Sequence, residues 1–405
     1  MKKIDHQIGV GTANISQKEK KYVNEVLDSN RLSYGKFIST FEKKFAQEHR
    51  CKYAIMMNSG TSALRIAIAC LKEVGDWIDG DEVIVPAITF IASSNVIIDH
   101  NLRPIFADVD PRTYNIDPSK IEEKITSKTR AIMVVHLFGQ PADMDPILKI
   151  AKKYKLKIIE DSCETMFVKY KGKPIGSFGD IACFSTYVAH LLVTGVGGLA
   201  LTNNSKYAEI IKSFANHGRD GIYLHIDDDK NLSKQGLFNV VQRRFRFVRL
   251  GYSFRATEME GALGLGQLEN KDVIMKKRKE VAQHLLKRLK PFEKFIQLPW
   301  YPPHSEHAFM LFPIVIKQNS GIKKNDLIFF LEENNIETRD MMPLINQPIY
   351  VKLFGNTENQ YPVAKWINHF GFYIGCHQGM KEKELDYIVY AFNEFFKQRK
   401  LLPQL

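Results

Sequence analysis

Cysteine is scarce and unpaired in this 405-residue sequence: Cys51, Cys70, Cys163, Cys183 and Cys376 form no C-x-x-C pair and share no regular spacing. That excludes a disulfide framework, gives no zinc or iron–sulfur signature and so no expected metal, and predicts a reducing, cytoplasmic setting. No apolar run of about 18 residues occurs, and the two lysines near the start precede no continuous apolar stretch, so neither membrane spanning nor secretion is expected. Internal repeats and low-complexity tracts are missing too. The formal net charge is +12, but the basic residues are spread through helical patterns among 45 acidic ones. Nucleic-acid binding is therefore not expected; a basic surface that favours an anionic small molecule is.

With those classes set aside, an α/β pattern remains. A hydrophobic content of 44% over this length supports one large domain and a smaller one. Strand-length apolar runs alternate with helical patterns: KYAIMMN, SALRIAIACLKEV, DEVIVPAITF, PIFADVD, RAIMVVHLF, DPILKIAKKY and LKIIED. The alternation predicts a mostly parallel central sheet flanked by helices, with ligands at the carboxyl ends of the strands. Asn58 to Ser62, Thr89 and Phe90, His136 to Gln140, and Asp161 to Glu164 occupy those ends. The helical pattern from Thr257 to Leu289 predicts one long helix leaving the large domain. Residues 1–270 are thus assigned to the large domain and 271–405 to a smaller α+β domain, with strand FMLFPIVI and helices KNDLIFFLEENN and EKELDYIVYAFNEFFKQR. The region from Asp220 to Arg249, acidic and then RRFRFVR, predicts an inserted loop or hairpin.

Several of these residues carry chemistry. NSGTSAL follows a strand and opens a helix, so its N–H groups and the hydroxyls of Ser59, Thr61 and Ser62 suit a phosphate; a simply capped helix reads the same way. Asp161 pairs with a protonated ring nitrogen of a cofactor, or caps the next segment. Phe90 is a platform for a flat ring or a core aromatic. In FSTYVAHLLVTGVGG, Phe184 to Gly198, Ser185 lies five residues before His190, and Gly195, Gly197 and Gly198 follow. Taken singly, His190 reads as a buried structural histidine; beside Asp161 it reads as a base. Arg243, Arg244, Arg246 and Arg249, interleaved with Phe245 and Phe247, suit a nucleotide diphosphate or a solvated basic face.

These pieces occur in the order and spacing of the DegT/StrS-type sugar aminotransferases, and the sequence resembles that fold-type I family over nearly its whole length. The blocks are VNEVLDSNRLSYGKFISTFEKKFAQ, YAIMMNSGTSAL, VIVPAITFIASSN, VHLFGQPADMD, IIEDSCET, GSFGDIACFSTYVAH, GVGGLALT, GYSFRATEMEGALGLGQLE and FYIGCHQGM. The resemblance implies a pyridoxal 5'-phosphate or pyridoxamine 5'-phosphate cofactor, with Gly60, Thr61 and Ser185 on its phosphate, Phe90 on its ring and Asp161 on its pyridine nitrogen. It also implies a homodimer with shared active sites, because the block Gly251 to Arg255 reaches the neighbouring subunit's site. Three positions depart from the pattern: Ser253 replaces the usual asparagine, with shorter reach to a phosphate; Val196 replaces the glutamate of GEGG; and Glu164 replaces a common glutamine, as a tuner of ring substituents or a tolerated change.

The fourth departure is the largest, because His190 stands where the family has its Schiff-base lysine. Imidazole forms no stable imine, so the cofactor is expected to bind noncovalently, leaving a base with an ordinary pKa of ~6.5. This substitution, with HGRDG (His217 to Gly221) and RATEM, resembles the histidine-containing 3-dehydratase branch, the GDP-4-keto-6-deoxymannose 3-dehydratase-like proteins. The clustered cysteines of the CDP-hexulose 3-dehydrase branch are absent. The implied activity is removal of the C-3 hydroxyl of a nucleotide-linked 4-keto-6-deoxysugar in deoxysugar biosynthesis, with His190 as base. An amino donor such as glutamate would regenerate the aminated cofactor, its carboxylate met by the partner subunit's Arg255, which reads equally as an ion-pair former. Two other readings stay open: a nucleotide-sugar aminotransferase with a natural or engineered lysine-to-histidine change, and a cofactor-binding pseudoenzyme.

Overall fold

Successive side chains of a strand point to opposite faces of its sheet, so continuous apolar runs require cover on both sides. The computed structural model describes residues 3–221, 224 and 227–399. Its first nine strands are β1 (Tyr53–Met57), β2 (Glu82–Pro86), β3 (Arg103–Ala107), β4 (Thr129–Val135), β5 (Lys157–Asp161), the short ribbon β6 (Lys169–Tyr170) and β7 (Lys173–Pro174), β8 (Ile181–Ser185) and β9 (Gly198–Thr202). All but the ribbon form a seven-stranded sheet in the order β1-β9-β8-β5-β4-β2-β3. β8, β5, β4, β2 and β3 pair in parallel, while β9 runs antiparallel to β1 and β8.

The two faces of this sheet meet different cores. Val83, Val85, Ala131, Met133 and Ile159 join the main core with the helix Gly60–Val74. Ile84, Ile132, Val134 and Ile158 join a smaller core with Met144, Ile147 and Ala151 of the helix Met144–Tyr154. Each such side chain, removed from water, contributes roughly 1.5–3 kcal/mol.

Four further strands, β10 (Ile296–Gln297), β11 (Leu311–Ile316), β12 (Thr338–Asp340) and β13 (Gly371–Gly375), make an antiparallel sheet in the order β10-β11-β13-β12. Phe312, Ile314, Phe372 and Ile374 pack on Leu285, Leu289, Phe392 and Phe396 of the helices Lys271–Leu289 and Glu382–Gln398, and Ile4 and Ile8 share that core. Leu311, Val315 and Tyr373, on the opposite face, belong to the main core, so the two sheets are joined through packed side chains.

Two sequence expectations change. The long helix from 257 is two helices, Glu258–Glu269 and Lys271–Leu289, because Asn270 leaves the helical backbone (φ −101°, ψ 5°) and caps both. The region 220–249 contains a helix, Lys234–Arg243, whose first turn is held by Ser233 Oγ accepting the Gly236 N–H at 3.1 Å. Ile222, Tyr223, His225 and Ile226 of that region lie outside the described residues. Among the described residues no helix is long and apolar enough to cross a membrane, and no group of acidic, histidine and cysteine side chains could hold a metal ion.

Candidate active site

The strand register brings the carboxyl edge together: Val135 lies opposite Asp161, Asp161 opposite Cys183, and Gly198 between Ser185 and Met57. The approach at this edge is too close for side chains. A Cβ on Gly198 would sit 2.4 Å from the Ser59 carbonyl, and one on Gly60 would sit 2.7 Å from the Ser185 Cβ. The amides of Gly60 and Thr61, first in a 15-residue helix, have no acceptor among the described residues, so they and the Ser185 hydroxyl fit a phosphate group. The hydroxyls of Ser59 and Ser62 are committed elsewhere. Ser59 Oγ accepts the Ser62 N–H and donates to Ser62 Oγ, which donates to Asn58 Oδ1 at 2.7 Å, so both belong to the helix cap rather than to a phosphate.

Asp161, 4% exposed, is held by two donors: Ser93 Oγ to Oδ2 at 2.7 Å and the Cys163 N–H to Oδ1 at 3.1 Å. Ser93 is in turn bonded to Thr89 Oγ1 at 2.7 Å. This carboxylate, buried and oriented at a strand end, suits a protonated ring nitrogen. Glu164 accepts the Phe138 N–H at 2.9 Å, and burial pushes its carboxyl up to about 7, the Phe138 amide opposing and the Asp161 charge adding. Phe90 leaves its ring 57% exposed after β2, free to cover a flat ligand. His136 is structural: wholly buried, it accepts the Ala142 N–H on Nδ1 and faces Glu160 through Nε2 at 3.2 Å.

His190 is half-buried, with Nδ1 3.2 Å from the Ser185 carbonyl oxygen. A carbonyl only accepts, so Nδ1 carries the hydrogen and Nε2 keeps its lone pair, making no hydrogen bond to a described residue. Burial pushes the imidazole down to about 4, with the Ser185 contact opposing and the Arg278 guanidinium adding. That direction favours the neutral ring, whose Nε2 faces no hydrogen-bonding group among the described residues.

Ser253 and Arg255 lie apart from this cluster as exposed side chains. Their backbone is nonetheless tied to it, since Phe254 O accepts the Asn58 N–H at 2.8 Å and Met57 bridges Arg255. Arg255 donates to Ser253 Oγ at 2.9 Å, to His217 Nε2 at 3.2 Å and to Tyr34 OH at 3.4 Å. It borders a cavity of about 730 Å³, also lined by Arg31, Tyr34, Lys36, Lys212 and Asn216; Asp161, Ser185 and His190 do not line it. The basic run offers less free charge than its sequence implies. Arg243 donates to Asp220 through Nε at 3.0 Å, Arg246 lies 3.5 Å from the same carboxylate, and Arg249 pairs with Glu73 at 2.8 Å.

Sequence reasoning missed three residues. Ser93, which orients Asp161, gives no motif of its own. Glu258 accepts the N–H groups of Gly35, Phe37 and Ile38 at 2.8–3.1 Å and so docks the Tyr34 segment beside Arg255. Arg278 donates to the His190 carbonyl at 3.3 Å. Only its helical phase with buried Ile274, Val281, Ala282 and Leu285 distinguishes it from its basic neighbours.

The comparisons with known proteins concern the chain as a whole. The sequence profile of the DegT/DnrJ/EryC1/StrS aminotransferase family matches residues 13–393. The chain is 34% identical to lipopolysaccharide biosynthesis protein RfbH of Salmonella typhimurium, covering 94% of this chain and 90% of that protein. It is 33% identical to GDP-perosamine synthase of Escherichia coli O157:H7, over 97% and 99%. A solved GDP-4-keto-6-deoxymannose-3-dehydratase, a histidine-to-asparagine mutant with bound GDP-perosamine, superposes with a TM-score of 0.86 at 28% identity, over 95% of this chain and 99% of that one. The same dehydratase has been solved with a trapped PLP-glutamate geminal diamine (TM-score 0.85, 27% identity, 94% of this chain and 99% of that one).

Proposed function

The chain belongs to the DegT/DnrJ/EryC1/StrS aminotransferase family of pyridoxal-phosphate enzymes that modify nucleotide-linked sugars, and we propose that it removes the C-3 hydroxyl of a nucleotide-linked 4-keto-6-deoxysugar. One observation carries the reading: where a lysine would tether the cofactor stands His190, with Nδ1 engaged by the Ser185 carbonyl and Nε2 bonded to no described residue.

When bound in its pyridoxamine form, the cofactor supplies an amine for the sugar ketone and a ring that accepts electron density as a proton departs. The Gly60 and Thr61 amides and the Ser185 hydroxyl would hold the phosphate, and Phe90 would cover the ring. Asp161, locked by Ser93 and Cys163, would keep the ring nitrogen protonated. His190 Nε2 would accept a proton as base and, as the imidazolium, could pass it to the sugar's C-3 hydroxyl, which would then depart as water. Glutamate would supply the amine, and in a homodimer the partner subunit's Arg255 would meet its carboxylate. The dehydratase trapped with glutamate supports that donor.

Incubation with pyridoxal phosphate, glutamate and GDP- or dTDP-linked 4-keto-6-deoxysugars is expected to release ammonia and a 3-deoxy sugar. An aminosugar product overturns the proposal. Likeness to GDP-perosamine synthase supports that aminotransferase activity as a second reading.

A further inference from the structure

We infer that Arg278 is a positioning residue that sets the His190 loop against the C-terminal sheet by gathering carbonyls from three separate segments onto one buried guanidinium. It is 1% exposed. One terminal nitrogen donates to Cys376 O at 2.7 Å, Met310 O at 3.0 Å and Phe309 O at 3.3 Å, and the other to His190 O at 3.3 Å. Phe309 and Met310 lead into β11, Cys376 follows β13, and His190 lies on the loop between β8 and β9.

A buried cation served by carbonyls alone is costly, and here Nε finds no partner among the described residues. The planar fork is what one side chain needs to reach three segments at once; lysine, with a single nitrogen, cannot span them. The base of the loop is closed independently, by the Thr186 N–H to Gly197 O at 3.0 Å and the Thr194 N–H to Thr186 O at 2.9 Å. Within the loop the His190 N–H donates to Tyr187 O at 2.9 Å and Nδ1 to Ser185 O at 3.2 Å; from outside it, Arg278 and Gly11, where a Cβ would lie 3.0 Å from the Ala189 Cα, hold the His190 end. Among the described residues, Arg278 of the helix Lys271–Leu289 is the charged group that acts on the imidazole, and Tyr187 of the same loop meets the ring at 6.0 Å.

The catalytic meaning of this clamp rests on His190 being the base, but its test does not. Arg278→Met and Arg278→Lys are compared with the unaltered protein, all without cofactor, by hydrogen exchange over residues 186–197 and by an NMR titration of His190. Both variants are expected to exchange about tenfold faster in that loop. The His190 pKa rises in Arg278→Met, where the charge is gone, and stays in place in Arg278→Lys. In turnover, kcat falls in both while KM for the sugar holds, by roughly up to 100-fold for a misplaced base. A folded Arg278→Met with unchanged loop exchange and unchanged His190 titration overturns the inference. If Arg278→Met does not fold, unchanged loop exchange in Arg278→Lys does so. An unaltered protein that is inactive on every ketosugar sinks the dehydratase reading and leaves the exchange and titration results standing.

Discussion

The carboxyl-edge cluster and the Arg255 cluster are joined by backbone but built on opposite principles. Asp161, Glu164 and Ser185 are at most 6% exposed, and desolvation sets the proton affinities of Glu164 and of half-buried His190. Ser253, Arg255 and His217 are exposed and bond to one another beside an open cavity. A group that must gain or lose a proton gains from exclusion of water, whereas a group that must catch an arriving carboxylate needs to be reachable. In the proposed function the inner cluster serves proton transfer within one chain, and the outer one ligand capture across the subunit boundary of a homodimer.

The sharpest way to break this division is His190→Ala. Turnover is expected to fall roughly 100- to 10,000-fold, the range of a lost general base, while pyridoxal phosphate binding, followed by absorbance titration, changes little. Next comes Arg255→Ala, for which kcat/KM toward glutamate falls roughly 10- to 100-fold, as for loss of a charge-assisted pair. Mixing that variant with His190→Ala and re-equilibrating the subunits restores about a quarter of wild-type activity if the sites are shared, because half the dimers then hold one intact site. No recovery would assign Arg255 to its own chain's site.

Glu164→Gln separates the clusters by pH. The folded carboxyl titrates near 7 rather than at its ordinary 4.5, so the native state binds the extra proton between these values and loses stability as pH rises through them. The buried charge then costs on the order of 3 kcal/mol above pH 7. The glutamine variant lacks this titration, so the melting temperature of its cofactor-free form should vary less between pH 5 and 8. The smallest effect is expected for Ser93→Ala: about 1 kcal/mol, or a few-fold in cofactor affinity, through a looser Asp161.

Much of the inner cluster was legible because strand ends are. The runs ending in Asn58, Thr89, His136 and Asp161 mark the carboxyl edge before any contact is known, and the replaced lysine carries the proposed reaction. His136 shows the limit, since strand position alone does not tell a ligand-facing side chain from one paired with Glu160. Ser59 and Ser62 show another: their hydroxyls suit a phosphate until the helix cap claims them. The helix Lys234–Arg243 was missed because its stabilising partners, Ser233 and Asp220, act through capping and an ion pair rather than through a buried apolar stripe.

Glu258 carries a consequence for the order in which the molecule is made. Its carboxylate takes the amide of Gly35, 223 residues earlier. At roughly 5–20 residues per second, translation leaves the first turn of the helix Lys36–Glu48 without that cap for roughly 10 to 45 seconds after it is synthesised. The Tyr34–Arg255 cluster therefore cannot assemble cotranslationally from the amino-terminal half of the chain alone, and a stalled nascent chain should present the segment around residues 31–38 uncapped to chaperones or proteases.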